Sequence, residues 1–235
     1  MRFWKQRLGI KIIKKLEWRK DTIKRSKFEC KHQKLINKMG LIYCEDGLEN
    51  YSINQGKDLV VWGYFQSEKY FLPCRNEIIE KYSLKEKVEK SDYPNLEQIR
   101  KRNSVCISIK IEHNIGTEMY DVCSNGYWEK AIKYIMEHVS DPLFFVCSDN
   151  IKYVREHLID FNKYDVITQD PSYPVHISLA VMAQCKHFII GNTSYGWWAQ
   201  YLSQYPDKIV VAPSRWYGID VACDIYQDNW HTIEV

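Results

Sequence analysis

At 235 residues with 45% hydrophobic content, the chain is long enough for one large domain or two modest lobes around a buried core. No apolar run reaches the roughly 20 residues of a membrane helix, and Met1-Arg2-Phe3-Trp4-Lys5 leads into no signal-peptide core, so a cytoplasmic chain is expected. The eight cysteines are scattered, with no CxxC pair and no His pair at zinc spacing, which argues for reduced core thiols and against a disulfide scaffold or a metal centre.

The net charge of +3 is unevenly distributed. Residues 1–34 carry 13 Lys or Arg against three acids, leaving 20 basic against 27 acidic residues in the remainder. Within that basic segment Trp4, Leu8, Ile12 and Leu16 recur every four residues with lysines between them, the pattern of a basic amphipathic helix. Such a helix suits an anionic lipid surface, at the inner face of the cell membrane, or equally the body of its own protein. Nucleic acid is not an expected partner, because the rest of the chain is acidic and shows no recognition motif.

Further along, 59–63 reads as a strand, 75–81 as a helix, and 95–102 as a second helix after a proline. Residues 81–92 are charged enough to be a solvated connection and mark a domain boundary. From about residue 104 the pattern becomes regular. Strands are expected at 105–111, 143–147, 165–167, 187–190 and 208–212, with helices at 126–137, 151–158, 177–184 and 194–202 between them. Strands spaced by such helices imply an α/β fold with a parallel, Rossmann-like sheet and right-handed crossovers. Three regions follow: a basic segment over 1–34, an abbreviated lobe and connection over 35–92, and the Rossmann-like domain over 93–235.

The most informative stretch is Gly191-Asn192-Thr193-Ser194-Tyr195-Gly196-Trp197-Trp198, directly after the apolar run ending at Ile190. A buried strand that ends in Gly, Asn, Thr and Ser and opens a helix places amides and hydroxyls where doubly wound sheets bind ligands and where a helix N-terminus favours an anion. An ordinary capped turn would use the same residue types. Ser148 and Asp149 end another strand on the same edge, as ligand contacts or as a cap for the helix from 151. His187, inside an apolar strand, reads as a core histidine, and one of Trp197 and Trp198 as core packing.

Four segments in order resemble the bacterial α-1,2-fucosyltransferases. Gly63-Tyr64-Phe65-Gln66-Ser67-Glu68-Lys69-Tyr70-Phe71 is similar to the GYWQSxxYF signature of that family. Asn125-Gly126-Tyr127-Trp128-Glu129-Lys130-Ala131-Ile132 leads into Pro142-Leu143-Phe144-Phe145-Val146-Cys147-Ser148-Asp149-Asn150, similar to PxFFxFSDD. The stretch from Met182 to Trp198 is close to MSxCKHxIIxNSSFSWW, and Lys208-Ile209-Val210-Val211-Ala212-Pro213-Ser214-Arg215-Trp216 resembles the closing KxVIAPxxWF.

The resemblance implies a GT-B-like architecture and an inverting transferase that moves a 6-deoxyhexose such as fucose from a GDP-sugar to a glycan acceptor in surface polysaccharide synthesis. It implies no metal or other cofactor, so protein donors must neutralise the leaving diphosphate. By the family's pattern Lys110, Asn114, Asn192, Thr193, Ser194 and the Tyr195 amide would hold the diphosphate, Ser148 and Asp149 the nucleoside, and Tyr64, Gln66 and Glu68 the acceptor. Glu112 or His113 would take the acceptor proton, with Glu68 as a second base candidate.

Two departures from the family stand out. Ser108-Ile109-Lys110-Ile111-Glu112-His113-Asn114 replaces HxRRGDY, so a single lysine stands where a guanidinium fork is expected and Ile111 cannot donate. The turn at Asn114-Ile115-Gly116 could restore part of the loss with backbone donors. No glycine-rich GGLGNQ loop occurs among residues 1–58. These departures keep two rivals open: a transferase of the same fold using another nucleotide sugar, and a non-catalytic nucleotide- or glycan-binding relative acting as a scaffold.

Overall fold

The longest strands are those whose residues are apolar on both faces. In the computed structural model, which describes residues 2–17, 22–44, 60–82, 93, 95–124, 126–221 and 223–235, β3 (Asn103–Ile109) and β4 (Pro142–Ser148) are buried along nearly their whole length. That is the signature of interior strands in a parallel sheet, covered by helices on both sides.

The six strands of this sheet run β5 (Val166–Thr168), β4, β3, β6 (His187–Ile190), β7 (Val210–Pro213) and β8 (His231–Ile233), and every neighbouring pair is parallel. The α/β reading with a parallel sheet therefore holds. The chain builds outward from β3 to β5 on one side and from β6 to β8 on the other, so the order reverses between β3 and β6. Helix α5 (Tyr127–His138) covers the sheet with Tyr127, Trp128, Ala131, Ile132 and Ile135, one apolar stripe at helical spacing. These pack with Val105, Ile107, Phe144, Val146, Ile189 and Val211 into the main core. Helices α6 (Ile151–His157), α7 (Val175–Met182) and α8 (Ser194–Leu202) complete the alternation.

Several details differ from the sequence reading. A sixth strand, β8, joins the edge; it has three residues, none of them buried, and no helix precedes it, so neither length nor βα alternation announces it. The strand expected over 105–111 runs from Asn103 to Ile109, leaving Lys110 and Ile111 in the turn beyond it. Helix α7 starts at Val175, with Pro174 in extended conformation as its N-cap, two residues earlier than expected.

The chain divides into two compact units, Met1–Pro73 with Ile219–Gln227, and Cys74–Gly218 with Asp228–Val235. The boundary read from charge at 92 lies inside the second, which also holds α3 (Arg75–Tyr82) and α4 (Leu96–Lys101). The charged connection itself, beyond Tyr82, lies outside the described residues, as do Leu59 and Asn125. The first unit contains α1 (Arg2–Glu17), α2 (Thr22–Lys38) and a parallel pair, β1 (Leu41–Cys44) with β2 (Val60–Gly63). Its small core is Ile36 and Leu41 with Ile10, Phe28 and Val60 against them. Strand β1 has no counterpart in the sequence reading, because a four-residue run is too short to carry a period.

Candidate functional site

The reversal between β3 and β6 leaves a crevice at the strands' carboxyl ends, the place where open α/β sheets bind ligands. One wall is the turn after β3. Asp149, just beyond β4, accepts from Lys110 Nζ at 2.6 Å, from the Ile111 amide at 2.8 Å and from the Glu112 amide at 3.0 Å. Partial burial opposes ionisation, yet the bonds from Lys110 and the two amides outweigh it and hold the Asp149 carboxyl below its ordinary value. Those same bonds pull the chain out of the sheet, which is why β3 ends at Ile109. Ile111 turns into the core, 8% exposed, while Glu112 and His113 are exposed and His113 takes φ +66°.

The Asn114 turn offers fewer donors than the sequence suggests. The amides of Asn114 and Ile115 bond to Ile111 O, and the Gly116 amide bonds to Asp121 Oδ2 at 2.8 Å. The donors expected to replace the missing arginines are thus committed within the loop. The Asn114 side chain donates at 3.4 Å to Asn192 Oδ1, so the residues expected on the two sides of the crevice do meet.

The other wall is the turn after β6. Asn192 is 7% exposed, and its Nδ2 donates to Tyr120 O and Trp216 O, both at 3.0 Å. One side chain thereby ties together the loops that follow β3, β6 and β7. Thr193 is the N-cap of α8, accepting from the Gly196 amide at 3.1 Å. The Tyr195 hydroxyl donates to Val175 O at 2.8 Å, and burial raises its pKa. The side chains of Asn192, Thr193 and Tyr195 are therefore structural. The exposed Ser194 and the amides of Ser194 and Tyr195, which precede the first intrahelical bond, are what this wall presents to a ligand.

Ser148 accepts from the Asn150 amide at 3.1 Å, and Asn150, not Asp149, caps α6 by accepting from the Tyr153 amide at 3.0 Å. Between the walls, Lys110, Asn114, Cys123, Trp128, Gly191 and Thr193 help to line a cavity of about 20 Å³. That is room for a water, not for a nucleotide, so a donor would lie over this edge rather than inside it. Burial pushes the Cys123 thiol on that lining up to about 12, which makes it an inert wall and not a nucleophile.

Close packing under the turn explains two residues that spacing alone did not single out. A Cβ on Gly196 would lie 2.9 Å from Ser108 Oγ and 3.0 Å from Ser108 Cβ, so glycine lets α8 seat directly on β3. Gly196→Ala is expected to cost ~1–2 kcal/mol through overpacking, read as a lower melting temperature and partly recovered in Ser108→Ala/Gly196→Ala. Tyr127 places its hydroxyl within reach of Ile190 O at 2.7 Å and Val211 O at 3.2 Å, tying the end of β6 to β7.

His187 is a core histidine: it accepts from the Ile209 amide at 3.1 Å, and burial, with Lys186 nearby, lowers its pKa. Trp197 is buried and stacks on Tyr201, whereas half-buried Trp198 stacks on Tyr82. The acceptor candidates belong to the first unit. There Tyr64 and Gln66 are exposed, and Glu68 accepts from Gln227 Nε2 at 2.6 Å. Among the described residues no group of three His, Cys, Asp or Glu is placed to hold a metal ion, and no helix is long and apolar enough to cross a membrane.

The chain is similar to several curated proteins. It is 30% identical over 115 residues to the O-antigen biosynthesis glycosyltransferase WbnK of Escherichia coli, covering 49% of this chain and 38% of that one. An alpha-1,2-colitosyltransferase of Escherichia coli is 25% identical over 180 residues, 73% of this chain and 61% of that protein. Galactoside alpha-(1,2)-fucosyltransferase 2 of Oryctolagus cuniculus is 24% identical over 152 residues, 60% and 43% respectively. The chain thus spans between 38% and 61% of the length of these relatives. Glycosyl transferase family 11 matches over residues 6–234, nearly the whole sequence, and the chain belongs to that family.

Proposed function

We propose that this chain transfers a 6-deoxyhexose of the fucose type from a GDP-sugar to a glycan acceptor, with inversion, in surface polysaccharide synthesis, in a GT-B-like arrangement. The observation that carries the reading is the pairing, at the sheet's reversal, of a fixed cation on one wall with a helix N-terminus on the other. Family membership and relatives named for fucosyl, colitosyl and O-antigen transfer support the sugar class.

In this mechanism an acceptor oxygen attacks the anomeric carbon from the face opposite the diphosphate. The carbon–oxygen bond to phosphate breaks, and GDP departs with the electron pair. Lys110 and the Ser194 and Tyr195 amides receive the developing negative charge, so the step requires no metal. The acceptor proton passes to Glu112 or His113, exposed beside Lys110. Asp149, with both oxygens already accepting, positions Lys110 rather than meeting the nucleoside.

Calorimetric titration with GDP, UDP and GDP-fucose tests this reading. Wild-type protein is expected to prefer GDP over UDP, with slow hydrolysis of GDP-fucose. Lys110→Ala is expected to weaken GDP binding about tenfold or more, the loss of one charged hydrogen bond. UDP preference would move the donor to another nucleotide sugar, and no nucleotide binding would leave a scaffold.

A further inference from the structure

Helix α1 packs on its own unit through one face, and among the described residues its Trp4, Leu8 and Ile12 face takes no part in that packing. Gly9 lies against β1 so closely that a Cβ there would run into Leu41 Cδ1. Gln6, buried beside it, donates to Gly40 O at 3.4 Å, and Ile10 joins the Ile36–Leu41 core. Trp4, Leu8 and Ile12 occupy about 80° of arc on the other side of the helix. They are 71%, 56% and 40% exposed. The periodic residues that the sequence offers as a packing face are therefore turned away from the unit that carries them.

The stripe is flanked by charge of one sign. Lys5, Arg7, Lys11, Lys14 and Lys15 are all exposed on the same helix, whose single acid is Glu17 at its last position. By the helical repeat, Lys11 falls about 20° outside Trp4 and Lys5 about 20° outside Ile12, while Lys15 lies at an angle between Trp4 and Leu8, farther along the axis than Ile12, so cations border the apolar residues on both sides. A protein partner matched to this surface would need an acidic groove; a leaflet of anionic lipid supplies negative headgroups above an apolar interior without further fitting. Tryptophan at one end suits the headgroup level. We infer that α1 docks this protein on an anionic membrane surface, with Trp4, Leu8 and Ile12 entering the boundary and the lysines meeting lipid phosphates.

Vesicle co-sedimentation of the full chain tests the inference. Vesicles of phosphatidylcholine with about one-third phosphatidylglycerol are expected to bind the protein at least tenfold more tightly than pure phosphatidylcholine, and 0.5 M salt to remove most of that preference. Trp4→Ser/Leu8→Ser/Ile12→Ser is expected to lose about tenfold or more of the binding while its melting temperature stays within a few degrees, since these side chains are exposed. Lys11→Glu/Lys15→Glu should abolish the lipid preference with the apolar stripe intact. Equal binding to both vesicle types, unchanged binding by either variant, or sedimentation of the free protein as an oligomer that the serine variant dissociates would each overturn the proposal, the last assigning the stripe to a second copy of the chain.

Discussion

Replacing Asn192 by aspartate is expected to destabilise the protein by ~3 kcal/mol or more at neutral pH, although the two side chains have nearly the same shape. The amide donates to Tyr120 O and Trp216 O at 3.0 Å each. Aspartate removes both donors and sets a buried negative charge against two carbonyl oxygens. Asn192→Ala removes the donors without adding the charge, so its cost should be smaller, ~2 kcal/mol. At this chain length the aspartate variant should melt ~6–12 °C below wild type. The folded state resists ionising an aspartate in this place, so its pKa there rises above the unfolded value. The penalty is then complete above the raised folded pKa, shrinks as the pH falls through that value, and is gone below the unfolded pKa of about 3.9. Melting curves from pH 7 down to pH 4 should show the variant approaching wild type. Equal stability of the two at neutral pH would mean that Asn192 is not the tie between the three loops.

The place of this turn was legible in the sequence, because a buried apolar run followed by Gly-Asn-Thr-Ser states both a strand end and a helix start. The job of each residue was not. Asn192 reads as a polar ligand contact from its type and place, but its amide faces inward, toward carbonyls 72 and 24 residues away in sequence. Thr193 is the N-cap that its type advertises. Gly196 matters through Ser108 on another strand, a relation no local pattern contains. The same holds across the crevice, where Asp149 reads from its place as a nucleoside contact or a helix cap and is the acceptor that shapes residues 110–112. For the fold, interior strands with continuous apolar runs were readable, whereas β1 and β8 owe their existence to a partner strand and not to their own four and three residues.

Asp149→Asn should release Lys110 from its place on one wall of the proposed diphosphate site. It keeps the size of the side chain but removes the charge that holds Lys110 at 2.6 Å, and an amide can serve the three donors now gathered on the carboxylate only in part. The expected loss of stability is ~1 kcal/mol at neutral pH, because solvent screens this exposed ion pair and the amide oxygen still serves part of the backbone donors. The folded pKa of Asp149 lies below its ordinary value, so its contribution is fully present above the unfolded pKa and is lost as the pH falls through the lower folded value. Wild type should therefore lose its advantage over the variant in the acid range below about pH 4, the two melting curves converging there. If Asp149 works by placing Lys110, the variant should also weaken GDP binding, and Lys110→Ala/Asp149→Asn should be little worse than Lys110→Ala alone, because residues acting through one another are not additive. Additive losses would instead give Asp149 its own contact with the nucleotide, and the nucleoside role suggested by its place at the strand end would return.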